Sequence, residues 1–230
     1  SAELQVDRPS CQIDPTARPI NTLAILKILF MSAVFIQWTL RLRSMPFAQR
    51  FFFAQLALAM VVENTSGILF IFDHENSVLY NFYIPLEFAL LCAFAAFSFR
   101  SRLVHAVLLL VVVCYGVVLF LELRQGTPII FTKSLLLAYA TLTITFSVLL
   151  VRLAGSTEVR LWKDQRFWVY LSIVVFTGAV IPYVGLMNHL YTSDPALAKS
   201  LFGIIEVLFF LRYGMVWLAG ALLPRSPVRA

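Results

Sequence analysis

Seven apolar runs, each about 20 residues long and separated by short polar breaks, constrain this chain more than any other feature. They fall at approximately 20–41, 51–72, 78–99, 103–121, 127–151, 167–190 and 197–222. The breaks are Arg41 to Arg50, Asp73 to Ser77, Arg100 to Arg102, Glu122 to Gly126, Arg152 to Arg166, and Tyr191 to Pro195. An α-helix rises roughly 1.5 Å per residue, so each run is long enough to cross a hydrocarbon core. Barrel strands would alternate apolar and polar over about ten residues, and these runs do not alternate. The sequence therefore predicts an all-α polytopic membrane protein with seven transmembrane helices over 20–222. Residues 1–19 read as a polar extracytoplasmic tail that stays on the protein, and 223–230 as a short cytoplasmic tail. Pro9, Pro15 and Pro19 keep the first of these from reading as a helix.

Composition excludes the main alternatives. The chain is 60% hydrophobic and 13% charged, with 21 Phe. An ordinary soluble domain is about half apolar and a quarter charged. A disordered chain, a disulfide-stapled secreted domain and a typical soluble enzyme all fall outside this balance. The formal charge of +6 reads as basic cytoplasmic loops rather than a nucleic-acid surface. Cys92 and Cys114 sit in apolar runs, Cys11 lies in the tail, and no CxxC occurs. Neither a zinc site nor a redox pair is expected, and no cofactor is implied.

Charge placement sets an orientation. The loops after helices 1, 3 and 5 and the C-terminal tail carry Arg41, Arg43, Arg50, Arg100, Arg102, Arg152, Arg160, Lys163, Arg166, Arg225 and Arg229. The only acids there are Glu158 and Asp164. The opposite side carries Arg8, Arg18 and Arg124 against seven acids. By the positive-inside rule the N-terminus is outside and the C-terminus inside, as expected for a protein of a bacterial inner membrane. The longest loop, 152–166, is too short for a soluble domain, so function is expected in the bilayer, at its surfaces or through a partner.

Helices 1–3 and 5–7 share a faint pattern. Lys27 and Lys133 stand early in their first helices, and the words Gln49-Arg50-Phe51 and Gln165-Arg166-Phe167 open their second helices. Glu87 and Glu206 stand in their third helices. This points to a 3+1+3 parallel repeat with helix 4 as linker, an arrangement used by some transporters. The competing explanation is coincidence between Phe-rich helices with Arg at their ends.

The intramembrane carboxylates Glu63, Glu87 and Glu206 are the chief candidates for a site, because a charge at mid-bilayer costs a few kcal/mol on insertion scales. Counted from the hydropathy ends, all three lie nine residues deep, which places them in one layer roughly 13 Å below the outer boundary. Three anions cannot share a dry layer unless protons or cations neutralise them. Arg212 lies six residues past Glu206, about 120° around the helix, and is expected to reach a neighbouring helix rather than Glu206. Lys27 and Lys133 are expected to extend to the outer boundary.

Tyr80, Tyr83 and Glu87 form one stripe of helix 3, and Asn64, Thr65, Ser66 and Gly67 follow Glu63. Tyr183 stands beside Pro182, which frees a backbone carbonyl where helices often line a cavity. The expected ligand-binding set is Glu63, Asn64, Tyr83, Glu87, Tyr183, Glu206 and Arg212. The structural alternative is that such pairs only hold helices together.

The remaining motifs carry less. Thr141, Thr143, Thr145 and Ser147 are expected to bond back to their own helix. Asp73-His74-Glu75, His189 and Asp194 lack metal-ligand spacing and read as solvated loop residues. His105 reads as interfacial, and Trp38, Trp162, Trp168 and Trp217 as an aromatic belt. No mid-span Lys in helix 7 could hold retinal. The leading expectation is a small transporter binding a small solute or cation at the carboxylates. Next comes a seven-helix sensor that signals through a separate cytoplasmic partner. A lipid-modifying enzyme is least favoured, since carboxylates could act as acid and base but no nucleophile or metal set accompanies them. Beyond the lipid bilayer, a homo-oligomer is a further option that no motif specifies.

Overall fold

The computed structural model describes residues 20–72, 77–99, 101–125, 131–156, 160–193 and 195–223. The tails at 1–19 and 224–230, the loop candidates Asp73, His74, Glu75 and Asp194, and the His189 side chain lie outside this description. Seven helices account for nearly all of it: α1 (Ile20–Thr39), α2 (Phe47–Ile71), α3 (Ser77–Phe99), α4 (Arg102–Gln125), α5 (Thr132–Ser156), α6 (Gln165–Ser193) and α7 (Pro195–Leu222). Each is long and apolar enough to span a bilayer. A helix is the solution because it satisfies its own backbone groups, which lipid cannot do. Large apolar side chains face outward on every helix, among them Leu29, Val61, Phe82, Leu109, Ile144, Leu186 and Val207. In water such a surface would drive aggregation; against lipid tails it is solvated. The chain is an integral membrane protein.

The helix ends follow local chemistry. Asp164 precedes α6 and accepts the backbone N–H of Arg166 at 2.8 Å, as an N-cap aspartate does. The break expected at Glu122 is instead part of α4, which runs to Gln125. Glu122 is buried, and its two carboxylate oxygens accept the backbone N–H groups of Lys133 at 2.7 Å and Ser134 at 2.9 Å. These donors belong to the first turn of α5, where intrahelical partners are missing and negative charge is favoured. A residue read as part of a polar break thus caps a neighbouring helix.

The helices alternate in direction and close into a ring in the order α1, α2, α3, α5, α6, α7, back to α1, with α4 applied outside α3 and α5. Of the seven, α4 is the least buried. The ring is filled by aromatic side chains from five helices: Trp38 meets Phe52, Phe52 meets Phe94, and Phe94 meets both Phe146 and Tyr170, with centroids 5.1 to 5.8 Å apart. Trp38, expected in an interfacial belt, is fully buried. Its indole N–H donates to the Val216 carbonyl at 3.0 Å, which gives its polar tip a partner without water. Trp162 and Trp217 are exposed, as a belt requires.

The α1–α7 seam closes the ring, and the two helices run parallel. A Cβ on Gly220 would stand 2.7 Å from both Gln37 Oε1 and Trp38 Nε1, so only glycine admits this approach. At the same end, Arg41 donates to the carbonyls of Ala221 (3.1 Å) and Leu223, covering the open C-terminus of α7.

Candidate functional site

The polar groups inside the ring are held by helix geometry first. On α3, Tyr80, Tyr83 and Glu87 stand at i, i+3 and i+7 and so share a face. Pro85 lies within the same helix and removes one donor from its ladder. On α7, Glu206, Phe209 and Tyr213 share a face in the same way, and Arg212 stands beside it.

Glu87 and Arg212 form the deeper of two clusters. The guanidinium of Arg212 donates to Glu87 Oε1 at 2.5 Å. The Gln55 amide donates to the same oxygen at 2.9 Å and lies 3.2 Å from the Tyr83 hydroxyl. Phe176 offers its ring face to Arg212 at 4.5 Å, and Tyr213 lies at 5.4 Å. Tyr213 and Tyr83 share a side-chain hydrogen bond, and Tyr139 stands in the field of Glu87 and Arg212. The ion pair is dry: 2% of the Glu87 side chain and 5% of that of Arg212 are exposed. Four helices besides α3 supply its surroundings. Arg212 reaches across the ring to Glu87 on α3 rather than to Glu206 on its own helix, in keeping with its angular offset from Glu206.

The second cluster joins α1, α2, α3 and α7. Lys27 Nζ lies 2.5 Å from Glu206 Oε2 and 4.8 Å from the centre of the Phe209 ring. Lys27, expected to extend to the boundary, turns inward instead because a carboxylate and a ring face meet its ammonium there. Glu63 accepts the Tyr80 hydroxyl at 3.2 Å, and that hydroxyl lies 3.3 Å from Ser66 Oγ. Glu63 lies within electrostatic reach of Lys27. Gly67 brings α2 against α1, where a Cβ would stand 3.2 Å from Ile28 Cδ1. The Lys27–Glu206 pair is partly open, with 22% and 32% of the two side chains exposed.

The single layer of carboxylates expected from hydropathy resolves into two tiers. Glu87 pairs with Arg212 in one tier, and Glu206 pairs with Lys27 in the other. Glu206 and Arg212 are six residues apart on α7, or about 9 Å along its axis. Tyr80 and Glu87 on α3 give about 10 Å. Equal counts from the hydropathy edges do not carry over between α3 and α7, because Glu87 meets Arg212 rather than Glu206.

Of the other expected site residues, Asn64 is half-buried on α2 and its Oδ1 accepts no hydrogen bond from the described residues. Tyr183 is half-buried on α6 beside Pro182. Thr143 bonds back to the Tyr139 carbonyl at 2.8 Å, as expected, and also meets Thr177 at 2.8 Å. His105 Nε2 lies 2.8 Å from the Ala96 carbonyl, tying α4 to α3. Sequence reasoning missed Gln55, Tyr139, Phe176, Phe209 and Tyr213. The available signal was the helical period: Gln55 follows Phe52 by three residues and precedes Ala59 and Val62 by four and seven, all buried, so a polar residue there faces the core.

Chemically, the ring interior holds three carboxylates and two cations in mid-span among the described residues. Two acids carry a cation each, and the third, Glu63, is met by a phenol. One proton or one monovalent cation completes the balance. Among the described residues no three His, Cys, Asp or Glu converge as a metal site. No family model, no curated protein and no solved structure matches the chain, so the chemistry of the two tiers, not kinship, carries the functional reading.

Proposed function

We propose that this membrane protein binds a small solute or cation at its intramembrane carboxylates and carries it across the bilayer, as a small transporter. The observation that carries this reading is the uneven pairing of three acids with two cations. Glu87 is neutralised by Arg212 and Glu206 by Lys27, while Glu63 has Tyr80 as its hydrogen-bond donor. A buried carboxylate without a cation of its own takes up a proton or a cationic group. The basic loops favour an N-terminus outside, which would set the two-tier site in the extracytoplasmic half of an inner membrane.

A second reading is a seven-helix sensor, and the α1–α7 seam favours it. The two helices that carry Lys27 and Glu206 at one end are joined by Arg41 to the Ala221 and Leu223 carbonyls at the other. Ligand-driven loosening of the first contact would shift the second, and the basic segment 152–166 would meet a cytoplasmic partner. Flux separates the two readings. Proteoliposomes with an encapsulated pH dye are challenged in turn with Na⁺, K⁺ and short alkylammonium salts. Transport requires a signal above empty liposomes that falls about tenfold or more in Glu63→Gln, as loss of a coupling charge would cause. Binding without flux sinks transport and leaves the sensor.

A further inference from the structure

The seat that Lys27 occupies is itself a recognition site. Glu206 and Phe209 are three residues apart on α7 and present a carboxylate and a ring face to the same point. An ammonium lies there now, 2.5 Å from the carboxylate and 4.8 Å from the ring centre. Carboxylate plus aromatic face is the combination that selects an organic ammonium over a bare metal ion, because the ring attracts a charge already partly desolvated by its carbon substituent. We infer that the Glu206–Phe209 seat binds a primary alkylammonium ligand, and that Lys27 is its tethered competitor. This deepens the transport reading by naming the ligand class.

Three features of the structure support an exchange. First, the pair is not fully buried, with 22% of the Lys27 side chain and 32% of that of Glu206 exposed. Second, Lys27 has somewhere to go. Glu63 stands one helical turn from Gly67, which packs against Ile28, the residue after Lys27. When a ligand ammonium takes Glu206, the Lys27 ammonium turns to Glu63, where Tyr80 already donates to Oε2. No charge has to leave the membrane, and the shallow tier passes from one net negative charge to none. Third, the four-carbon stem of Lys27 is flexible, and a lysine head is a point charge that exchanges partners without the fixed fork of an arginine. The deeper Glu87–Arg212 pair has that fork and lies closed under Phe176, so it does not take part.

The test uses the full chain in detergent micelles with n-butylammonium as probe and KCl at equal ionic strength as control. A tethered competitor acts at an effective concentration on the order of millimolar, so Lys27→Met should bind the probe about tenfold tighter than the unmodified chain by calorimetry. Lys27→Arg keeps the seat filled and should bind no tighter than the unmodified chain. In the Lys27→Met background, Glu206→Gln should abolish binding and Phe209→Leu should weaken it several-fold, in line with a cation–π contribution. If Lys27→Met does not fold, Lys27→Gln supplies the same comparison. Equal affinity in Lys27→Met and the unmodified chain, or binding that survives Glu206→Gln, overturns the seat. Binding lost in Glu63→Gln but kept in Glu206→Gln also overturns it, and leaves the wider carboxylate site standing. Tight binding to the seat with no flux in any salt overturns transport and leaves the seat intact.

Discussion

The two ion pairs of the ring interior differ in everything except their charges. Glu87 and Arg212 are dry, share their oxygen with Gln55, and are covered by rings from α6 and α7. Lys27 and Glu206 are a quarter to a third open and rest on one ring. In the deep tier, each partner is expensive to leave alone, because an unpaired charge in a low-dielectric interior keeps its full desolvation cost. In the shallow tier the pair is less buried, so losing one partner strands less charge. Burial is thus divided unequally between two levels of the same helix, α7, about 9 Å apart.

The largest effect should come from breaking the deep pair by one side. Arg212→Met leaves Glu87 and Gln55 in an apolar ring and should cost about 3–5 kcal/mol, as loss of one partner of a buried pair does. Replacing both members with Met should recover most of that loss, since a well-packed apolar pair is often as stable as a buried ionic one. Thermal unfolding in detergent, followed by helical circular dichroism, reads both variants. A double variant as unstable as the single one would mean that the pair contributes net stability rather than conformational specificity.

The sequence made the number of the crossings legible because lipid allows only a long apolar helix, and hydropathy reads that directly. It also made Arg212 legible as a residue facing another helix, since the angle from Glu206 is fixed by 3.6 residues per turn. Depth was less legible. Counting from the hydropathy edges gave Glu206 and Glu87 equal depth, whereas Glu87 pairs with Arg212, six residues further along α7, so the two tiers were merged. Partners were the least legible. That Lys27 folds inward depends on Phe209 and Glu206 arriving from the far end of the chain. That Trp38 is core rather than belt depends on Gly220 letting α7 come close. Neither follows from local periodicity.

Glu122 sharpens the comparison because it separates burial from pairing. It is as buried as the deep pair, yet its partners are the backbone N–H groups of Lys133 and Ser134. Glu122→Ala removes a helix cap that bears a charge and should cost about 1–2 kcal/mol, between the values for a neutral cap and for charged hydrogen bonds. Because no partner charge is stranded, a compensating second substitution should not exist. Hydrogen exchange at the start of α5 should quicken while the rest of the bundle is unchanged. A loss as large as that of Arg212→Met would show that the division rests on burial alone.

The smallest effect should be on the shallow pair. Lys27→Met leaves Glu206 partly open, and partly exposed ion pairs contribute about 0–1 kcal/mol. The variant should therefore unfold within about 1 kcal/mol of the unmodified chain, and the difference should shrink as salt rises, because open charges are screened within roughly 10 Å at 0.1 M. Arg212→Met should show no such salt dependence, since ions do not reach its pair. If Lys27→Met were as damaging as Arg212→Met, the shallow tier would be a second lock, and an ammonium arriving from outside could not displace Lys27 at a cost the protein can bear.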